Sequence, residues 1–103
     1  MEAVLSAAEF SKHVNEIFTV NLGEENRVDL ELIEVKPYKS NSGDMEGMER
    51  FSVYFKGPKP LLPQRTYSLS NEGMGTMELF IVPIAAEGDG FRYEAVFNLF
   101  KNA

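Results

Sequence analysis

The sequence predicts a mainly β domain: a small antiparallel six-stranded barrel or sandwich with one short N-terminal helix. Three observations carry this. Apolar residues recur with a helical period only before residue 16 and alternate with a period of two after it. Gly-containing turn signals separate the alternating runs at short intervals. The 103 residues supply one core, with 44% apolar and 25% charged residues. Residues 1–103 are therefore read as a single globular domain.

Ser6-Ala7-Ala8-Glu9 has the form of a capping box, in which the Ser6 hydroxyl accepts from the Glu9 amide and the Glu9 carboxylate reaches back to the Ser6 amide. Phe10 and Val14 lie four apart, which predicts a helix over residues 7–15. Phe18, Val20 and Leu22 then alternate with Thr19 and Asn21, and Gly23-Glu24-Glu25-Asn26 turns the chain. Val28, Leu30 and Leu32 form the next strand. The alternation slips at Ile33, which predicts a β-bulge, because one extra residue exchanges the faces.

Residues 37–49 are polar and read as an exposed loop. Phe51, Val53 and Phe55 share one face of a third strand, with Ser52 and Tyr54 on the other. The segment 57–63 carries three prolines, which remove amide donors and exclude regular structure. Tyr67 and Leu69 mark a fourth strand. Residues 77–82 are apolar on both parities, which predicts a strand covered on both faces. Glu87-Gly88-Asp89-Gly90 is a hairpin signal, and Phe91, Tyr93, Ala95 and Phe97 line the last strand. The expected core is Phe18, Leu30, Leu32, Phe51, Val53, Phe55, Leu79, Ile81, Tyr93 and Phe97.

With no cysteine, thiolate nucleophiles, disulfides and cysteine metal sites are excluded. No apolar run approaches the ~20 residues of a membrane span. Glu2 stands where a secretory signal carries a base. A cytoplasmic protein without membrane association is expected. The net charge of −6 disfavours nucleic acid, whose binding rests on neutralising phosphates. The charge is uneven: residues 36–65 hold six basic against three acidic residues, and the rest four against thirteen. That leaves a mildly basic stretch able to meet an acidic partner or another subunit.

Across nearly its whole length the chain resembles a family of short bacterial domains of unknown function. The matching elements are Phe10, His13-Val14 and Phe18, then Leu30-Glu31-Leu32, Phe55-Lys56-Gly57-Pro58 and Leu62-Pro63-Gln64 with Thr66-Tyr67. Gly75, Phe80-Ile81-Val82-Pro83 and Tyr93-Glu94-Ala95-Val96-Phe97-Asn98 complete them. The family pattern has glycine where this chain has Asn15 and Arg65. The resemblance implies a structural or assembly role, since members sit beside genes for phage-tail-like or collar proteins. It assigns no catalytic residue.

Chemical sites are sparse. His13 is the sole histidine, so any Ser–His–acid or histidine–metal scheme runs through it, and it reads as a surface residue near a helix C-terminus. Asp44, Glu46 and Glu49 lack calcium-loop spacing. Glu31 with Glu34, or Glu78 with Glu94, read as the wet face of strands rather than as catalytic pairs. Gly73-Met74-Gly75 lacks the Lys-Ser/Thr of a phosphate loop. Gln64 is expected to tie down the proline-rich loop through its side-chain amide. The expected role is a non-catalytic structural or protein–protein interaction module, with no enzyme activity and no cofactor. The alternative is a small-molecule or carbohydrate binding domain. The partner is another protein or a second copy, met through an aromatic sheet face or a free strand edge. The candidate surface is Tyr54, Lys59, Gln64, Arg65 and Tyr67.

Overall fold

The computed structural model describes residues 5–38 and 48–100, and the side chains of Met48, Leu99 and Phe100 lie outside that description. The helix α1 spans Ala7–Ser11. The strands are β1 (Ile17–Gly23), β2 (Asn26–Pro37), β3 (Met48–Pro58), β4 (Arg65–Asn71), β5 (Gly75–Glu87) and β6 (Gly90–Phe100). All are antiparallel, in the order β1-β2-β3-β6-β5-β4, and β4 pairs back onto β1. Most of the expected loop 37–49 lies outside the described residues.

The helix is shorter than its apolar spacing predicts. Ser6 caps it as expected, its hydroxyl accepting from the Glu9 amide at 3.1 Å. The Glu9 carboxylate does not complete the box, and turns to Lys12 and His13 instead. Residues 12–15 form turns, and Asn15 takes the left-handed conformation at φ 77°. Asparagine tolerates that region better than most residues. The Asn15 amide then donates to the Leu32 carbonyl at 2.7 Å, stitching the helix exit to β2.

The predicted bulge is present: the β2–β3 register shifts between Leu32 and Glu34. Leu32 therefore points inward opposite Phe55, and past the shift Val35 does so opposite Val53. The β5–β6 turn is a two-residue connection with Gly88 at φ 58°. In the β4–β5 turn the Asn71 side chain accepts from the amides of Gly73 and Met74. All ten expected core residues are buried, joined by Phe10, Val20, Leu62, Tyr67, Leu69, Met74, Met77 and Ala95.

β5 changes partner along its length. Its first half, from Gly75 to Ile81, pairs with β4, and its second, from Val82 to Glu87, pairs with β6. The far half of β6 pairs with β3 alone among the described residues. Helix α1 lies across the end of the ring where this half-ladder is missing. The Ala7 amide donates to Glu49 at the start of β3 (2.7 Å), and His13 packs on Gly73 in the β4–β5 turn. Between them Phe10 meets Phe18, Phe51 and Phe97 at ring distances of 5.5–6.2 Å.

Candidate interaction surface

The expected surface does not assemble in one place. Around the ring β3 and β4 stand three positions apart, so Tyr54 lies on the wall opposite Arg65 and Tyr67. Tyr67 points inward and is only 5% exposed, its hydroxyl donating to the Pro63 carbonyl at 2.6 Å. Burial raises its pKa, against the opposing charge of Arg65, whose guanidinium lies 5.4 Å from the ring centre. Lys59 and Gln64 are exposed.

Gln64 does not tie down the loop. Tyrosines do so: the Leu62 amide donates to the Tyr93 hydroxyl at 3.0 Å, and Tyr67 holds Pro63. A buried tyrosine carries an apolar ring and a polar tip to the same place, which an exposed glutamine cannot match.

On the opposite wall, Tyr54 centres a polar network on the outer face of β2, β3 and β6. The Arg92 guanidinium sits 4.9 Å over its ring and pairs with Glu34 at 2.9 Å. Ser52 is fully buried beneath this network, donating to Glu94 at 2.8 Å and sharing a hydrogen bond with Tyr38 at 2.7 Å. Partial burial pushes the Tyr54 pKa up to about 12, helped by contacts with Tyr38 and Glu94. Glu34 and Glu94 are thus structural partners of neighbouring side chains.

Beside this network runs an apolar stripe that the sequence reading did not single out. The strand at residues 77–82 is covered on one face only, contrary to expectation. Met77, Leu79 and Ile81 point inward, while Phe80 is 51% exposed. Val82 shares the outer face, Ile84 stands exposed at the β5 bulge, and Val96 on β6 is 59% exposed. The signal lay in the residues that broke the alternation: an apolar side chain at a wet-face position marks either a second covering layer or a bare patch.

The remaining chemistry is dispersed. His13 is partly buried, its side chain being 14% exposed, and its ring lies between Glu9 and Glu16. Glu49 accepts from the helix, while Asp44 and Glu46 lie outside the described residues. Among the described residues no group of three or more His, Cys, Asp or Glu side chains is placed to hold a metal ion. None of their helices is long and apolar enough to cross a membrane. A shallow cleft of about 430 Å³ opens on the outer wall among Ile17, Asp29, Glu31, Lys56, Pro58 and Asp89.

These features define a small, closed antiparallel domain with a filled interior and a bare apolar stripe on one outer wall. The model of a family described as a domain of unknown function (DUF6916) matches residues 5–97, and the chain belongs to that family. No curated protein and no solved structure matches it.

Proposed function

We propose that the chain is a non-catalytic structural or protein–protein interaction module that meets its partner through the outer face of β5 and β6. The observation that carries this reading is the stripe on the outer face of β5 and β6, where Phe80, Ile84 and Val96 are exposed and Val82 is half-buried. Exposed apolar clusters of this kind cost solubility and are used where a partner covers them. The finer form of the reading, a part of a phage-tail-like assembly, rests on the family resemblance, and a cytoplasmic location rests on the absence of cysteine and of a basic N-terminal segment.

The test pairs light scattering with affinity capture from the native host, using the wild type and a Phe80→Ser, Val96→Ser variant. A self-association or captured partner lost in the variant, with thermal stability kept, supports the reading. A partner retained by the variant overturns it. The small-molecule alternative is favoured by the cleft beside Pro58, whose acidic rim suits a cationic ligand.

A further inference from the structure

We propose that His13 is a pH-sensitive latch that holds α1 across the end of the ring and releases it as the medium turns alkaline. Both ring nitrogens face carboxylates: Nδ1 lies 2.9 Å from Glu16 Oε1 and Nε2 lies 3.3 Å from Glu9 Oε2. An ionised carboxylate only accepts, so both nitrogens must donate, and only the imidazolium has two N–H groups. A neutral ring turns one lone pair toward a carboxylate oxygen. The geometry is that of a cation.

The latch reaches three elements. On α1, Lys12 shares Glu9 with His13 at 3.4 Å. From the β4–β5 turn, the Asn71 amide donates to Glu16 at 3.2 Å and to the Ile17 carbonyl at 3.0 Å. Glu72 is the exposed charge of that turn, and Gly73 lies against the imidazole. A Cβ at Gly73 would come within 2.5 Å of His13 Cε1, so the ring fills a place that any side chain at 73 would take. From β2 only the Leu32 backbone joins, through Asn15 and Glu16.

The hydrogen bond to Glu16, and then that to Glu9, raise the His13 pKa above its ordinary 6.5 against the opposing effect of burial. The bond to His13 holds both glutamates below their ordinary 4.5. A raised histidine stabilises the closed state fully below 6.5, and that stabilisation is lost as pH climbs through the folded value. Lowered carboxylates stabilise it above 4.5 and fail as pH falls through their folded values. The latch is complete between the two. Its release raises the population in which Phe10 leaves Phe18, Phe51 and Phe97 and the half of β6 that lacks a β5 partner is uncovered. This inference goes beyond the proposed interaction face and does not depend on it.

The experiment uses the full chain, in which the lone imidazole signal belongs to His13. Its NMR titration runs alongside amide exchange at Phe10 and His13, whose N–H groups are bonded within the helix turn, and at Val53 in the core. His13 is expected to titrate above 6.5. Protection at Phe10 and His13 then falls tenfold for each unit of that excess, while Val53 is unmoved. His13→Gln abolishes the step, and Gly73→Ala displaces the ring and returns the pKa toward its ordinary value. Should His13→Gln fail to fold, Glu16→Gln replaces it, with a lower His13 pKa and a smaller step expected. A histidine titrating at or below its ordinary value, a step that survives these substitutions, or a parallel loss at Val53 overturns the proposal.

Discussion

The two ends of the ring are closed by different chemistry. At one end α1 lays Phe10 on an aromatic cluster and is fastened by charged groups, Glu9, His13 and Glu16. At the other, residues 57–67 bury Leu62 and are fastened by the hydroxyls of Tyr93 and Tyr67. Tyrosine hydroxyls keep their protons across the physiological range, whereas histidine gains or loses one within it. The same structural task is therefore pH-dependent at the helix end and indifferent to pH at the loop end.

Four substitutions break or sharpen that contrast. The largest effect is expected from Phe10→Ala, which removes the aromatic plug and leaves a cavity. A loss of ~3–5 kcal/mol in urea unfolding is expected. A loss below ~1 kcal/mol would mean that α1 rests on the ring without sealing it. Next comes Tyr93→Phe, which strands the buried Leu62 amide and should cost ~1–3 kcal/mol, equally at acid and alkaline pH. A pH-dependent cost would erase the distinction between the ends.

A smaller, opposite effect is expected from Glu25→Gly. Glu24 and Glu25 hold φ of 47° and 68° in the β1–β2 turn, at the loop end, where glycine relieves the strain. The melting temperature should rise, corresponding to about 1 kcal/mol. An unchanged or lower melting point would show that the turn carries no strain to relieve. The smallest effect is expected from the exposed Gln64→Ala, within ~0.5 kcal/mol of wild type. A larger loss would restore the glutamine to the role that the tyrosines hold.

The fold was legible because burial on a pleated sheet imposes a period of two, and that alternation located the strands, the ten core residues and the slip at Ile33. The length of α1 was not legible. Phe10 and Val14 have helical spacing, but Asn15 stops the helix through a backbone conformation that no side-chain period records. The partners of polar groups were also hidden. Gln64 looked apt to close the loop because it is its neighbour in sequence, whereas Tyr93 reaches Leu62 from 31 residues away. Phe80 was read as covered because apolar residues usually are, and sequence alone does not distinguish a second layer from a bare face.

The bulge at Ile33 has a consequence for how this family tolerates insertions and deletions. Alternation along a strand behaves like a reading frame, in which even positions are inside and odd ones outside. β2 is read in one frame through Leu32 and in the other from Val35 onward. Removing one residue at the slip would join the two frames into one. The ladder would then run unbroken, with Leu32 opposite Phe55, Glu34 opposite Tyr54 and Val35 still inward opposite Val53, and the local kink of the bulge would be lost. Adding one residue in the β1–β2 turn, outside the ladder frame, leaves both frames intact. Loss of one residue is thus expected to be tolerated at the turns and at the partly exposed Ile33, whereas a deletion elsewhere in β2 would turn part of the strand inside out.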